Sequence, residues 1–152
     1  MNWRQWGVVI TSVIRMTFVC YAAALFTLTH IPIPASAAAT VSSWDKAFHV
    51  GAYFGLAFLA MASFAWKPLS LNLVMPIVFA LLVFAGLDEI LQGPVGRTPD
   101  VVDWLADCFG VILGSASAGV VIHFVPVFRD WEALPNRPSD QCFPSPVDHS
   151  SP

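Results

Sequence analysis

The chain has 152 residues, of which 57% are hydrophobic and 11% are charged, and its formal net charge is −3. Soluble domains carry about 25% charged residues, so this composition excludes an ordinary soluble domain. The small negative charge and the lack of a basic run exclude a nucleic-acid-binding protein. The three cysteines match no zinc or redox motif. The length favours a single folded domain.

A helix that crosses a bilayer needs about 20 residues. Four apolar segments have about this length, in chain order Val8–His30, Ala47–Trp66, Leu71–Leu91 and Trp104–Val125. Pro32 and Pro34 end the first segment and Pro68 ends the second, because proline cannot continue a helix. The predicted fold class is therefore all-α, an integral membrane bundle of four transmembrane helices formed by residues 1–125.

The basic residues predict how the bundle is oriented, because loops on the cytoplasmic side are enriched in lysine and arginine. With the N-terminus inside, only Lys46 and Arg97 fall outside, and Arg15 can extend towards the inner side. The cytoplasmic side then carries Arg4, Lys67, Arg129 and Arg137. We therefore expect a multi-pass protein of the inner (cytoplasmic) membrane with both termini in the cytoplasm.

A cleavable signal peptide is the alternative interpretation of the first apolar segment, because Ala35-Ser36-Ala37 looks like a cleavage site. The apolar run is long for a signal peptide and Arg15 interrupts it, so we favour an uncleaved helix.

At the C-terminal end, residues 126–152 are rich in proline and lack apolar periodicity, which predicts a disordered cytoplasmic tail.

With this topology, polar residues from three separate stretches of chain lie at the outer end of the bundle. They are Asp45, Lys46, His49, Asp88, Glu89, Gln92, Arg97, Asp100, Asp103 and Asp107. The carboxylates outnumber the fixed positive charges, so a charge network that only holds helices in register leaves acids without partners. We favour an outward-facing polar pocket and keep the purely structural network as an alternative.

Helical spacing indicates how these residues face one another. Asp45, His49 and Tyr53 recur every fourth residue and share one stripe. Asp107 lies on a stripe with Gly110 and Gly114, which predicts that segment four packs closely against another helix, segment two. Asp107 should then face protein rather than lipid. His30, at the outer end of segment one, is expected to be an interfacial residue, with approach to the polar residues as the alternative.

A divalent metal ion is one possible occupant of the pocket. The ligands would be His49 with carboxylates among Asp88, Glu89, Asp103 and Asp107, a set that suits Mg²⁺, Mn²⁺ or Ca²⁺ better than structural Zn²⁺. Such an ion, with Lys46 or Arg97 holding phosphate, would support a membrane phosphatase or phosphotransferase. The sequence has no phosphate-binding glycine loop and no serine-nucleophile or zinc-protease motif, so no catalytic residue is assigned.

The order and spacing of these residues resemble the VanZ-like family of small multi-span bacterial membrane proteins. The matching pieces are Asp45-Lys46-x-x-His49-x-x-x-Tyr53, Asp88-Glu89-x-x-Gln92, Arg97, and Asp103-x-x-x-Asp107-x-x-Gly110-x-x-x-Gly114. The resemblance extends from about Trp44 to Ala118. It departs at Asp107, where the family often has asparagine, and this puts a neutral hydrogen-bonding role there in doubt.

The resemblance implies a protein of the cell envelope, and the founding member of the family is tied to resistance to the glycopeptide antibiotic teicoplanin. The implied partners, besides the lipid bilayer, are an envelope lipid, a cell-wall precursor or a glycopeptide. The resemblance implies no reaction, so whether the protein is an enzyme stays open.

Overall fold

A computed structural model of the protein describes residues 3–31, 35–65, 69–95 and 99–124. These residues form four α-helices and no strand: α1 (Trp3–Thr29), α2 (Ala35–Ala62), α3 (Leu71–Gln92) and α4 (Val101–Phe124). A short 3-10 helix, Gly93–Val95, follows α3. The predicted all-α class is confirmed. The predicted tail, residues 126–152, lies outside the described residues, as does Arg97.

Most helices extend further than the apolar segments predicted. α1 begins at Trp3 rather than Val8, and α4 begins at Val101 rather than Trp104. The largest correction is in α2, which begins at Ala35 although residues 35–44 were assigned to a connection. Hydropathy marks only the part of a helix that is apolar, and the alanine-rich start of α2 favours helix without being strongly apolar. The apolar segments therefore located each helix in the sequence but not its ends.

Three of the helices are long and apolar enough to span a membrane, over Trp6–Thr29, Leu71–Gln92 and Val101–Phe124. Large apolar side chains on them point away from the bundle, and Met16, Phe79 and Phe109 are each more than half exposed. A soluble protein rarely exposes so much contiguous apolar surface. These helices indicate a multi-pass membrane protein in contact with lipid.

α2 is not among these three helices, and it forms the centre of the described bundle. It contacts α1, α3 and α4, and its packing against α4 is the most extensive in the protein. Its side chains supply much of the buried core: Tyr53, Leu56, Ala57, Ala60 and Met61. Because its neighbours cover it, α2 can carry polar residues that a lipid-facing helix could not.

Gly110 and Gly114 of α4 lie directly against the backbone of α2. A Cβ atom on Gly110 would lie 2.5 Å from the carbonyl oxygen of Val50, and one on Gly114 would lie even closer to that of Phe54. No side chain fits at either position without moving a helix, so the two backbones approach as closely as glycine allows. This contact positions Asp107, which precedes Gly110 by three residues, against the polar end of α2.

Candidate functional site

Polar side chains from α2, α3 and α4 meet at one end of the bundle. The buried ones are at most 8% exposed: His49, Asp88, Glu89, Gln92, Asp103 and Asp107. Asp45, Lys46 and Asp100 lie at the more exposed edge of the same group. The structure therefore brings together all the predicted polar residues that it describes. We call this group the polar cluster.

His49 lies between two carboxylates. Its Nδ1 atom is 2.8 Å from Oδ1 of Asp107, which is completely buried. Its Nε2 atom is 3.9 Å from Oδ1 of Asp45, one helical turn earlier in α2. The Asp107 side chain thus faces α2 and not lipid, in line with the close approach of the two helices.

Asp88 has a hydrogen-bond donor at each of its oxygens. The Tyr53 hydroxyl donates to Oδ2 at 3.2 Å, and the Thr29 hydroxyl donates to Oδ1 at 3.0 Å. Nδ1 of His30 also lies 3.7 Å from Oδ1 of this carboxylate. Asp88 therefore connects α1, α2 and α3.

The contribution of α1 was predicted only in part. An interfacial position was favoured for His30, with approach to the polar residues as the alternative, and its side chain is 16% exposed and lies beside Asp88. A threonine near a helix end carries no distinctive signal, so no pattern pointed to Thr29. Tyr53 did have a signal, because it follows His49 on the stripe shared with Asp45.

Lys46 pairs with two acids at the exposed edge of the polar cluster. Its ammonium group contacts Oδ1 of Asp103 and lies 3.3 Å from Oδ2 of Asp100. Asp100 also caps α4, since its Oδ1 accepts the backbone N–H of Val102 at 2.8 Å. The Val102 N–H, together with the Lys46 ammonium, holds the pKa of Asp100 below its ordinary value of 3.8.

The inner acids of the polar cluster are incompletely bonded. Glu89 accepts the backbone N–H of Asp100 through Oε1 at 2.6 Å, but its Oε2 has no partner among the described residues. Oδ2 of Asp107 and Nε2 of Gln92 are likewise buried without a partner there. Buried polar atoms are rarely left unpaired, so these atoms distinguish the inner part of the polar cluster from its bonded edge.

Two groups of three side chains in the polar cluster have metal-binding geometry. His49, Glu89 and Asp107 each offer one ligand atom within 4.8 Å of the others, and so do Asp45, His49 and Asp103. Asp88, which the sequence placed among the possible ligands, is in neither group, and Tyr53 and Thr29 bond its two oxygens.

A cavity of about 260 Å³ lies between α1 and α2 beside the polar cluster. Its wall is mainly apolar, with Leu25 and Leu28 from α1 and Phe48 and Ala52 from α2. Its polar lining comes from Thr29, Asp45, His49 and Tyr53. An apolar cavity with a few converging polar groups is the usual form of a small-molecule site.

No protein-family model, curated protein or solved structure matches this chain. The polar cluster and its cavity are the features of this chain that indicate a function.

Proposed function

We propose that this chain is a VanZ-like integral membrane protein of the inner membrane that binds an amphiphilic envelope component, an envelope lipid or lipid-linked cell-wall precursor, in the cavity beside the polar cluster. The observation that carries the proposal is the continuity of an apolar wall with a polar end in one cavity. A glycopeptide antibiotic is the other ligand class to be tested, because the family resemblance implies it.

The proposed topology adds α2 to the three apolar helices, which gives four spans. Both termini then lie in the cytoplasm. α2 has 28 residues, and at about 1.5 Å per residue this length exceeds a hydrocarbon core of roughly 30 Å. Nε of Arg15 lies 3.4 Å from the carbonyl oxygen of Ser63, just after the end of α2 that is remote from the polar cluster. A basic side chain at that end favours a cytoplasmic location for it.

The cavity suits a ligand that has both an apolar chain and a polar head group. Among the described side chains of α1, Leu25 is the one large apolar residue that is buried, so α1 packs loosely beside the cavity. An acyl or isoprenoid chain can therefore lie against Leu25, Leu28 and Phe48, where apolar burial stabilises it. The head group would then meet Asp45 and His49.

The charge of the polar cluster limits the chemistry of that head group. Asp45 and its neighbouring acids favour hydrogen-bond donors such as sugar hydroxyl, amide or amine groups. They oppose direct contact with the phosphate of such a lipid, since Lys46 already pairs with Asp103 and Asp100, so the phosphate would lie away from these acids. We therefore expect recognition of a hydroxyl-rich or amino head group.

A membrane phosphatase or phosphotransferase acting on an envelope lipid is the second candidate function. It is favoured by the two groups of possible metal ligands that share His49. A purely structural charge network is the remaining alternative, favoured by the fully bonded Asp88. Binding and turnover measurements on the same samples separate the three.

The test uses the purified full chain in lipid nanodiscs. Binding of phosphatidylglycerol, phosphatidylethanolamine, an isoprenyl-linked cell-wall precursor and teicoplanin is measured with and without divalent ions, and phosphate release is followed in parallel. The cavity is filled by Ala52→Leu, and the matched control is Ala80→Leu on the exposed face of α3. We expect Ala52→Leu to weaken binding at least about tenfold, equivalent to about 1.4 kcal/mol.

The controls decide between the alternatives. Ala80→Leu should bind like the wild type, and both variants should unfold at similar temperatures. Phosphate release by the wild type would favour the enzyme. Wild-type protein that is folded but binds none of these molecules would leave only the structural network.

A further inference from the structure

We infer that His49, Glu89 and Asp107 form a binding site for one divalent transition-metal ion, with Mn²⁺ as the representative ion. The site lies inside the bundle, on three different helices, and is separate from the apolar cavity wall. The inference stands on the bonding of these side chains and does not require that an envelope lipid binds.

The first observation is the pair of unpartnered oxygens. Glu89 is 6% exposed and Asp107 is 0% exposed. One oxygen of Glu89 accepts the backbone N–H of Asp100, and one oxygen of Asp107 is hydrogen-bonded to the His49 ring. The other oxygen, Oε2 of Glu89 or Oδ2 of Asp107, is buried without a partner among the described residues. Each of these carboxylates also offers one oxygen within 4.8 Å of a His49 ring nitrogen, the spacing that a shared metal ion requires.

The second observation is the shortage of positive charge around these acids. Glu89 and Asp107 share the interior with the buried Asp88. Among the described side chains, Lys46 is the one lysine or arginine that pairs with the polar cluster, and its partners are Asp103 and Asp100 at the edge. Buried carboxylates without a compensating charge are strongly unfavourable. A divalent ion supplies that charge at the place where the oxygens are free.

The ligand set indicates the kind of ion. Two carboxylates and one imidazole suit first-row ions that accept both oxygen and nitrogen, whereas Mg²⁺ and Ca²⁺ prefer oxygen ligands alone. The Asp100 N–H bonded to Oε1 of Glu89 would hold this carboxylate in place, as outer partners of metal ligands commonly do.

The other group with metal-binding geometry, Asp45, His49 and Asp103, fits an ion less well. Lys46 already contacts Oδ1 of Asp103, and Asp45 is partly exposed. Neither carboxylate has a buried oxygen that lacks a partner. Asp45 therefore provides a control for the site.

The experiment measures Mn²⁺ binding by the full chain in detergent, with MnCl₂ alone as the added species. Protein stripped with a chelator and dialysed is titrated, and bound Mn²⁺ is counted by elemental analysis and electron paramagnetic resonance. We expect one ion per chain. Pulsed spectra of the wild type should show coupling of the ion to the nitrogen of one imidazole.

Three variants test the ligand assignment. Glu89→Gln and Asp107→Asn preserve the shape of the side chain and should each weaken Mn²⁺ binding by more than about 10-fold, the lower end of losses seen when only outer-shell partners are removed. Asp45→Asn, the matched control, should retain one ion per chain.

The inference is overturned if the wild type binds no stoichiometric Mn²⁺, or if bound Mn²⁺ shows no nitrogen coupling. It is also overturned if Asp45→Asn loses the ion while Glu89→Gln keeps it. Should the ligand variants fail to fold, Asp45→Asn decides the matter, because retention of one nitrogen-coupled ion in that variant excludes the group that contains Asp45 and shares His49. Lipid binding plays no part in these readouts, so the metal site and the proposed function can fail independently.

Discussion

The Tyr53 hydroxyl donates a hydrogen bond to Oδ2 of Asp88 at 3.2 Å, across 35 residues of sequence. Both residues are almost completely buried, and the bond connects the central helix α2 to the end of α3. Thr29 of α1 bonds the other oxygen of Asp88. The polar cluster thus contains two kinds of acid. Asp88 is bonded at both oxygens and connects three helices, whereas Glu89 and Asp107 each have a buried oxygen without a partner among the described residues.

Tyr53→Phe should destabilise the bundle by about 1–3 kcal/mol, because it leaves a buried carboxylate oxygen without its donor. The measurement is thermal or denaturant unfolding in detergent. Tyr21→Phe is the matched control, since it removes a hydroxyl that donates to the carbonyl oxygen of Ala52 at 3.0 Å in a half-buried place. Equal stability losses in the two variants would contradict a special role for the Tyr53–Asp88 bond.

Gly114→Ala should destabilise the protein by about 1–3 kcal/mol, the usual range when a methyl group is forced into a packed core. The added Cβ would overlap the carbonyl oxygen of Phe54 in α2. Gly119→Ala is the control in the same helix, because nothing lies within 4 Å of a Cβ atom there. That change should be neutral or stabilising, since alanine favours helix over glycine by about 1 kcal/mol.

Unfolding temperatures of the two glycine variants, measured side by side, check this prediction. Wild-type stability in Gly114→Ala would show that α2 and α4 do not approach as closely as described.

Asp100 should make the stability of the α4 start depend on pH. The pKa of Asp100 is lowered in the folded protein by the Val102 N–H and Lys46. Its stabilising contribution is therefore fully present above the unfolded value of 3.8 and is lost as the pH falls through the lower folded pKa. The difference in unfolding temperature between the wild type and Asp100→Ala should thus be larger at neutral pH than in strong acid. A difference in unfolding temperature that grows on acidification would contradict a lowered pKa of Asp100 in the folded protein.

The proposed topology predicts opposite labelling of Trp44, in the first part of α2, and Ser70, in the connection before α3. In a background without Cys20, Cys108 and Cys142, a membrane-impermeant thiol reagent should label Trp44→Cys in intact cells. The same reagent should label Ser70→Cys only after the membrane is permeabilised. Both residues are exposed, so access depends on the side of the membrane. Labelling of Ser70→Cys in intact cells would invert the orientation.

The positions of the helices and of most polar-cluster residues could be predicted from sequence because they depend on local properties. A run of about 20 apolar residues predicts a span wherever it occurs. α1 ends at Thr29, just before Pro32, as proline placement predicts, but Pro76 lies inside α3, so proline placement alone does not locate helix ends. The spacing of Asp107, Gly110 and Gly114 predicts one helix face. The start of α2 was predicted wrongly, since a moderately polar helical extension has no hydropathy signal.

The tertiary structure alone decided which atoms are partners. Thr29 and Asp88 are 59 residues apart and His49 and Asp107 are 58 apart, so their pairing depends on how each helix is rotated and how closely it approaches its neighbours. The sequence did not distinguish Asp88 from Glu89 as a possible ligand. Packing bonds both oxygens of Asp88, and it leaves one oxygen of Glu89 and one of Asp107 without a partner among the described residues. Hydrogen bonds form only over about 3 Å, a distance that local pattern cannot specify. The sequence therefore determined that polar groups would meet at one end of an apolar bundle, and the packing of the helices determined which of their atoms are hydrogen-bonded.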